Sequence, residues 1–248
     1  MSGGKPTFPT CKFANLQIVF PTGELAQINL ETMKAIDSKG LPRSFEVGVS
    51  LIGLVLLFPL MAISAAMIIL TSRGGVMFRQ ERVGRRGEMF VLYKLRTMKV
   101  ANAGPLVTSK DDARITPVGK FLRQTKLDEL PTLWNVLKGD MALVGPRPEV
   151  PRYVKLEDSM WQAVLTVRPG ITDPVTLQLR SEEELLAQVK GDTETYYVSE
   201  LLPLKLKGYV AYLKERNWRT DLKVLIQTLG AVVNPTHADA SLVHSKKN

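Results

Sequence analysis

The chain has 248 residues, with 33 Lys+Arg against 24 Asp+Glu, two histidines and one cysteine. The lone Cys11 excludes an intramolecular disulfide and a Cys-based zinc cage, and with His237 and His244 both in the last dozen residues, His-dependent chemistry does not belong to the body of the protein. The length fits one domain with appendages, not a polytopic membrane enzyme, and leaves carboxylates as the favoured agents of any covalent or acid–base chemistry.

Residues 1–44 read weakly. Phe13 to Phe20 and Gly23 to Ile28 have the composition of short strands around a Phe20-Pro21-Thr22-Gly23 turn, and nothing there carries chemistry. From Val47 to Leu70 there is no charged residue. As a helix this run is roughly 36 Å long, enough to cross a bilayer core of about 30 Å. It follows no short basic region and no small-residue cleavage pattern, so it does not read as a signal peptide. Pro59, at its middle, removes a backbone hydrogen bond. Both flanks are basic: Lys39 and Arg43 before it, then Arg73, Arg79, Arg82, Arg85 and Arg86 after it. Positive flanks prefer the cytoplasmic side. On these residues two readings stay open, a helix that bends at Phe58-Pro59 and returns to the face it entered, and a single kinked span.

The charge excess sits just beyond, where residues 71–155 carry 17 basic and eight acidic groups. Such a field points to an anionic partner (a phosphate ligand, anionic lipid or nucleic acid), with solubility as the bland account. Met77–Val83 and Met89–Met98 read as extended, joined by Gly84-Arg85-Arg86-Gly87 into a hairpin. Thr116-Pro117 predicts a helix start, with Thr as N-cap and Pro at the first helical position, running to about Thr125. A second helix is expected from about Asp128, with Leu130, Leu133, Trp134 and Leu137 on its apolar face and Gly139 as its terminator. Residues 146–151 and 168–174 read as rigid turn-rich loops, 182–189 as a short acidic helix, and 196–230 as amphipathic helix, suited to core packing or to a membrane interface. The polar tail from Asn234 is expected to be disordered.

The motifs of P-loops, Rossmann folds and zincins are absent, as are a D-x-D pair and any nucleic-acid module. What remains is Asp128-Glu129 within a dense set of cations: Lys94, Arg96, Arg114, Lys120, Arg123, Lys126 and Arg147. At a helix N-terminus the dipole is expected to lower the Asp128 pKa and to attract a phosphate. A divalent metal fits between carboxylate and phosphate. A carboxylate can also attack phosphorus itself and form an acyl phosphate. Ordinary helix capping explains the pair equally simply. Pro146-Arg147-Pro148 clamps an arginine between prolines, which suits bidentate phosphate contact, and Arg168-Pro169-Gly170 repeats the theme.

Three runs together, FRQERVGRRGEMFVLYKLRTM, RITPVGKFLRQTKLDELPTLWNVLKGDMALVGPRPE and VRPGIT, resemble the bacterial sugar transferases. More narrowly, they resemble the monotopic polyprenol-phosphate phosphoglycosyl transferases. The resemblance covers about residues 45–230. It implies transfer of a sugar-1-phosphate from a UDP-sugar to polyprenyl (undecaprenyl) phosphate with release of UMP, at the cytoplasmic face of the bacterial inner membrane, as the first membrane step of glycoconjugate or polysaccharide assembly. By the same likeness Asp128 is the nucleophile and a ligand of an assisting Mg2+, and Glu129 supports the site. Lys94, Arg123, Pro146, Arg147, Pro148 and Arg168 are its phosphate-binding set, and Phe58-Pro59 is the break of the membrane helix. Two positions depart from the family pattern. Phe58 stands where Ser is common, and Asp173-Pro174-Val175-Thr176 replaces Gly-Trp-Ala-Gln in a loop implied to meet the nucleotide or sugar.

The expected architecture is α+β and mostly helical. Residues 1–44 form an extension of unknown role, 45–72 a re-entrant membrane helix broken at Pro59, 73–233 a small cytoplasmic catalytic domain with a short β-hairpin and amphipathic interfacial helices, and 234–248 a disordered tail. Membrane lipid is an expected partner and nucleic acid is not; a homodimer stays open. The competing readings are a non-catalytic membrane-anchored scaffold or anionic-lipid binder on a transferase-like fold, and a single-span enzyme facing away from the cytoplasm.

Overall fold

The computed structural model describes residues 39–100, 106–179, 182–189 and 191–233. The strands expected within residues 13–28 and the tail from Asn234 lie outside them. Helix α1 (Arg43–Thr71) takes in the whole uncharged run and is one continuous helix with Pro59 inside it. Its buried residues are Glu46, Ser50, Ser64 and Ile68. At 3.6 residues per turn these share one narrow stripe. Leu51, Ile52, Val55, Leu56, Phe58, Ile63, Ile69 and Leu70 are exposed. The polarity is thus inverted, with polar side chains inward and apolar ones outward, which is what a helix surrounded by lipid requires.

Both ends of α1 are fastened to the rest of the protein. At the first turn Glu46 accepts from the Leu143 amide (3.2 Å) and pairs with Arg168 (3.0 Å). Arg43 donates to the carbonyls of Val136 and Leu137. At the last turn Ile68 packs with Leu95 and Leu122. Just beyond it Arg96 donates to the carbonyls of Ser72, Arg73 and Gly74.

Strands β1 (Met77–Val83) and β2 (Met89–Leu95) form the expected antiparallel hairpin, with Met77 opposite Leu95 and Val83 opposite Met89. The turn between them is a 3₁₀ turn over Arg85–Gly87, in which Arg86 has a left-handed backbone (φ 60°). Helix α2 (Pro117–Gln124) starts as its sequence predicts: the Thr116 hydroxyl accepts from the Gly119 amide (2.9 Å).

The second helix needs two corrections. Helix α3 spans Thr132–Lys138, and Asp128 lies before it in a 3₁₀ turn, Leu127–Glu129. Pro131 has no N–H to give to Leu127, so the α-helical pattern begins only after it. The buried face of α3 is also not the apolar one: Thr132, Asn135 and Val136 are buried, while Trp134 is 53% exposed. Asn135 donates to the Val91 carbonyl (2.7 Å) and accepts from the Tyr93 amide (3.1 Å), tying α3 to β2 by polar contacts. Leu133 instead approaches Gly53 of α1.

A parallel pair went unread in the sequence. Strand β3 (Ala142–Val144) pairs with β4 (Gly170–Thr172), so part of the expected 168–174 loop is a strand. A Cβ on Gly145 would stand 2.6 Å from the Arg168 carbonyl, and one on Gly170 would stand 2.1 Å from the Gly145 nitrogen. Only glycines allow the two proline-rich segments to cross this closely.

The remaining helices are α4 (Ser159–Val164), α5 (Pro174–Gln178), α6 (Glu182–Ala187), α7 (Thr193–Tyr196), α8 (Leu202–Glu215) and α9 (Trp218–Val233), with a π turn at Tyr197–Leu201. One core gathers Trp161, Val164, Tyr197, Leu201, Leu206 and Tyr209 under α8. A second joins Leu92, Val136, Val144, Val167, Leu213 and Val224, and so links β2, α3 and the parallel pair.

Candidate active site

Lys126, with a left-handed backbone (φ 58°), ends α2 and folds the chain into the 3₁₀ turn that presents Asp128 and Glu129. From β2, Lys94 reaches Glu129 (2.9 Å). From the loop after β3, Arg147 holds the same carboxylate with both terminal nitrogens, at 2.5 and 3.4 Å. Pro146 and Pro148 are buried on either side while Arg147 is half-buried, so the prolines fix the backbone and leave the guanidinium to the site. Four of the predicted residues, 128, 129, 94 and 147, therefore converge from three separate elements.

The two acids differ in wiring. Burial acts against ionised Glu129, but Arg147 and Lys94 outweigh it and hold its pKa well below the usual range. Lys94 is itself lowered by burial, and Arg147 is raised, chiefly by Glu129. Asp128 has no such partner. Its Oδ1 is buried without a hydrogen bond, and its pKa is raised to about 6 by burial and then by Glu129 beside it. This reverses the expectation of a lowered pKa at a helix N-terminus. The turn is 3₁₀, no N–H reaches Oδ1, and desolvation wins over the cations.

The other predicted cations separate into roles. Arg123 donates to the Thr97 hydroxyl (2.9 Å) and pairs with Glu183 (2.8 Å), with its charge still felt at Asp128. Arg168 is committed to Glu46 at the foot of α1. Arg96 holds the carbonyls after α1, Arg114 pairs with Asp112 (2.6 Å), and Lys120 is exposed on α2. Asp173, at the departure from the family pattern, is fully buried and caps α5 through the amides of Val175 (2.7 Å) and Thr176 (2.9 Å).

Sequence reading missed the support behind Pro146-Arg147-Pro148. Arg82 on β1 donates to the Pro148 carbonyl (3.0 Å) and pairs with Glu149 (3.3 Å). Glu149 accepts from the Tyr197 hydroxyl, which also receives Lys205 (3.3 Å), itself paired with Glu182 (3.0 Å). Apart from Lys205 and Tyr197 these partners are tens of residues apart, and no local pattern announces them.

For a metal, the donor set is sparse. Among the described residues no three His, Cys, Asp or Glu side chains cluster. A closed protein cage is therefore not built there, but Mg2+ needs none: it keeps waters and takes one or two carboxylates along with substrate phosphates. The unpartnered Asp128 oxygen fits that mode, and Glu129, already engaged by two cations, does not.

The model of the family described as bacterial sugar transferase matches residues 38–235. The chain belongs to that family. A UDP-glucose:undecaprenyl-phosphate glucose-1-phosphate transferase of Caulobacter vibrioides is 33% identical over 226 residues, covering 88% of this chain and 76% of that protein. A protein of the same name from Klebsiella pneumoniae is 34% identical over 74% of this chain and 38% of its own length. A UDP-N-acetylgalactosamine-undecaprenyl-phosphate N-acetylgalactosaminephosphotransferase of Aeromonas hydrophila is 41% identical over 52% of this chain and 32% of its own. The chain thus spans only about a third of the length of the latter two relatives. Within the matched family region lie all the converging residues and α1, the one helix among the described residues long and apolar enough to cross a membrane.

Proposed function

We propose that this sugar transferase moves a sugar-1-phosphate from a UDP-sugar to undecaprenyl phosphate by way of a phospho-sugar on Asp128. The observation that carries the reading is the buried, unpartnered Oδ1 of Asp128 beside a Glu129 whose charge is taken up by Lys94 and Arg147. An Asp128 oxygen attacks the sugar-bearing phosphorus, the bond from that phosphorus to the bridging oxygen breaks, and UMP leaves with the electron pair. An oxygen of the polyprenyl phosphate then attacks the same phosphorus and releases Asp128. One nucleophile serves both halves because a carboxylate is also a good leaving group.

Two cations set against one anion leave the Lys94–Glu129–Arg147 cluster with a net positive charge where the phosphates would lie. Glu129 is a positioning residue in this scheme, holding Arg147 with both its oxygens. Mg2+ bound at Asp128 and the donor diphosphate would neutralise charge on the leaving nucleotide. The relatives' names differ in sugar and agree in the undecaprenyl carrier, so the carrier transfers to this chain more securely than the sugar does.

A re-entrant α1 at the cytoplasmic face is part of the same reading. Its support is that both ends of α1 are tied to one domain, Glu46 to Arg168 and Arg96 to the carbonyls of residues 72–74. The far end of a spanning helix would lie about 30 Å away, across the hydrocarbon. Pro59 frees the carbonyl of Val55 at the middle of the segment, where a bend is cheapest.

The test is UMP release by purified protein with undecaprenyl phosphate, Mg2+ and UDP-glucose, UDP-galactose or UDP-N-acetylgalactosamine, with Asp128→Asn beside the wild type. Without acceptor, intact-mass measurement should find one phospho-sugar on the wild type and none on the variant. Turnover that survives the substitution would sink the assignment of the nucleophile.

A further inference from the structure

A cavity of about 290 Å³ lies at the tip of the β1–β2 hairpin. Arg85, Arg86 and Arg168 line it, with Glu88, Met89 and Asp140. It is separate from Asp128 and Glu129: the run of β2 from Met89 to Lys94, about 17 Å at 3.4 Å per residue, and all of α3 lie between. Nothing in the proposed reaction uses it.

Its position is fixed by α1. Arg168 reaches out of the cavity to Glu46 in the first turn of that helix. Arg43, one turn earlier, caps α3 at the carbonyls of Val136 and Leu137, next to Gly139 on the cavity wall. The uncharged run starts at Val47, so with α1 embedded in a membrane the cavity would lie at its boundary, at the depth of lipid headgroups.

Charge and shape agree with that location. The cavity and its rim carry Arg43, Arg85, Arg86, Arg168 and Lys138 against Glu46, Glu88 and Asp140. Glu46 pairs with Arg168 and Arg43, and Asp140 with Lys138 (2.9 Å) and the Asn135 amide (3.1 Å), so the charge these pairs carry is largely balanced and the phosphate contact falls to the hairpin-tip arginines that line the cavity. Arg86 is exposed on a left-handed backbone that glycine or asparagine would adopt more easily. Strained positions of this kind gather at ligand clamps. Beside the arginines Met89 is 49% exposed, and Leu51 and Ile52 of α1 present apolar surface just inside the boundary.

We infer that this cavity binds the phosphate of an anionic phospholipid headgroup, with the acyl chains running along the first apolar turns of α1. Arginines match phosphate oxygens, and the exposed Met89 in the cavity lining favours a lipid over a free anion. The inference needs α1 in a membrane and is independent of the transfer reaction.

Native mass spectrometry of the full chain in detergent tests it, with dioleoyl-phosphatidylglycerol titrated against dioleoyl-phosphatidylcholine. Arg86→Gly keeps the backbone and removes the cation, Arg86→Lys keeps the charge, and Arg79→Gln removes a cation elsewhere on the hairpin. One phosphatidylglycerol should be retained in preference to phosphatidylcholine, and Arg86→Gly should weaken it about tenfold, the scale of one charge-assisted contact. Arg86→Lys should recover most of the binding, and Arg79→Gln should match the wild type. Equal retention of both lipids, or undiminished retention by Arg86→Gly with an unchanged melting curve, overturns the inference. So does displacement of the lipid by an equal concentration of inorganic phosphate, which would make the occupant a soluble anion.

Discussion

Asp128 and Asp221 are both buried carboxylates whose pKa is pushed upward by burial, yet they are wired in opposite ways. Asp221, in the first turn of α9, accepts from the Leu41 amide (3.3 Å), the Tyr212 hydroxyl (2.6 Å) and Arg216 (3.2 Å). It fastens the approach to α1 to the corner between α8 and α9. Asp128 sits among cations that neutralise its neighbour and leaves Oδ1 with no partner. A saturated buried carboxylate holds a fold together; an unsaturated one is kept at a cost and is available for chemistry.

The sharpest break of this comparison is Asp128→Asn. Transfer should fall by roughly 10³-fold or more, since the proposed nucleophile is lost. Stability should move the other way. The folded state holds the Asp128 proton more tightly than the unfolded chain does, so its contribution is most favourable below about pH 4 and is lost as pH rises through about 6. Replacing it should therefore raise the melting temperature at pH 7, by a stabilisation on the order of 1–2 kcal/mol, and the gain should vanish near pH 4. Melting curves at the two pH values check this.

The mirror experiment is Asp221→Asn. It leaves Arg216 buried without its carboxylate, so denaturant unfolding should show a loss of about 3–5 kcal/mol. Protein that remains folded should keep the turnover rate. A melting curve unchanged from wild type would show that the corner is not the clamp described above.

A smaller effect separates the two acids of the dyad. Because Glu129 helps to raise Asp128, Glu129→Gln should shift the acid limb of the pH–rate profile from about pH 6 to lower pH. The rate itself should fall about 10- to 100-fold as Arg147 loses its bidentate anchor. An unmoved limb would mean that Asp128 ionisation does not set it. Least of all, Thr116→Ala should cost about 1 kcal/mol in chemical denaturation, the worth of one N-cap, and leave the pH profile alone.

Local chemistry accounts for what was legible in the sequence. The hairpin, the Thr116 cap with Pro117, the Gly139 terminator and the long apolar helix each depend on residues a few positions apart. Three-residue strands such as β3 and β4, 28 positions apart in the chain, carry too little pattern to be read. Helix α3 misled for a different reason. Periodicity marks an apolar face but not what it faces, and here the apolar face turns toward α1 and the outside while Asn135 binds β2.

In the site, the sequence by itself determined the residue types: an acidic pair, a proline-clamped arginine and a surplus of cations directly after a long apolar helix, a combination specific enough to resemble one family. The tertiary structure decided which cations serve. Lys94 and Arg147 go to Glu129, Arg168 to the foot of α1 and Arg96 to its far end. It also decided the sign of the Asp128 shift. A helix dipole can be inferred from sequence spacing, but desolvation depends on everything packed around the carboxyl group, and only the folded chain sets that.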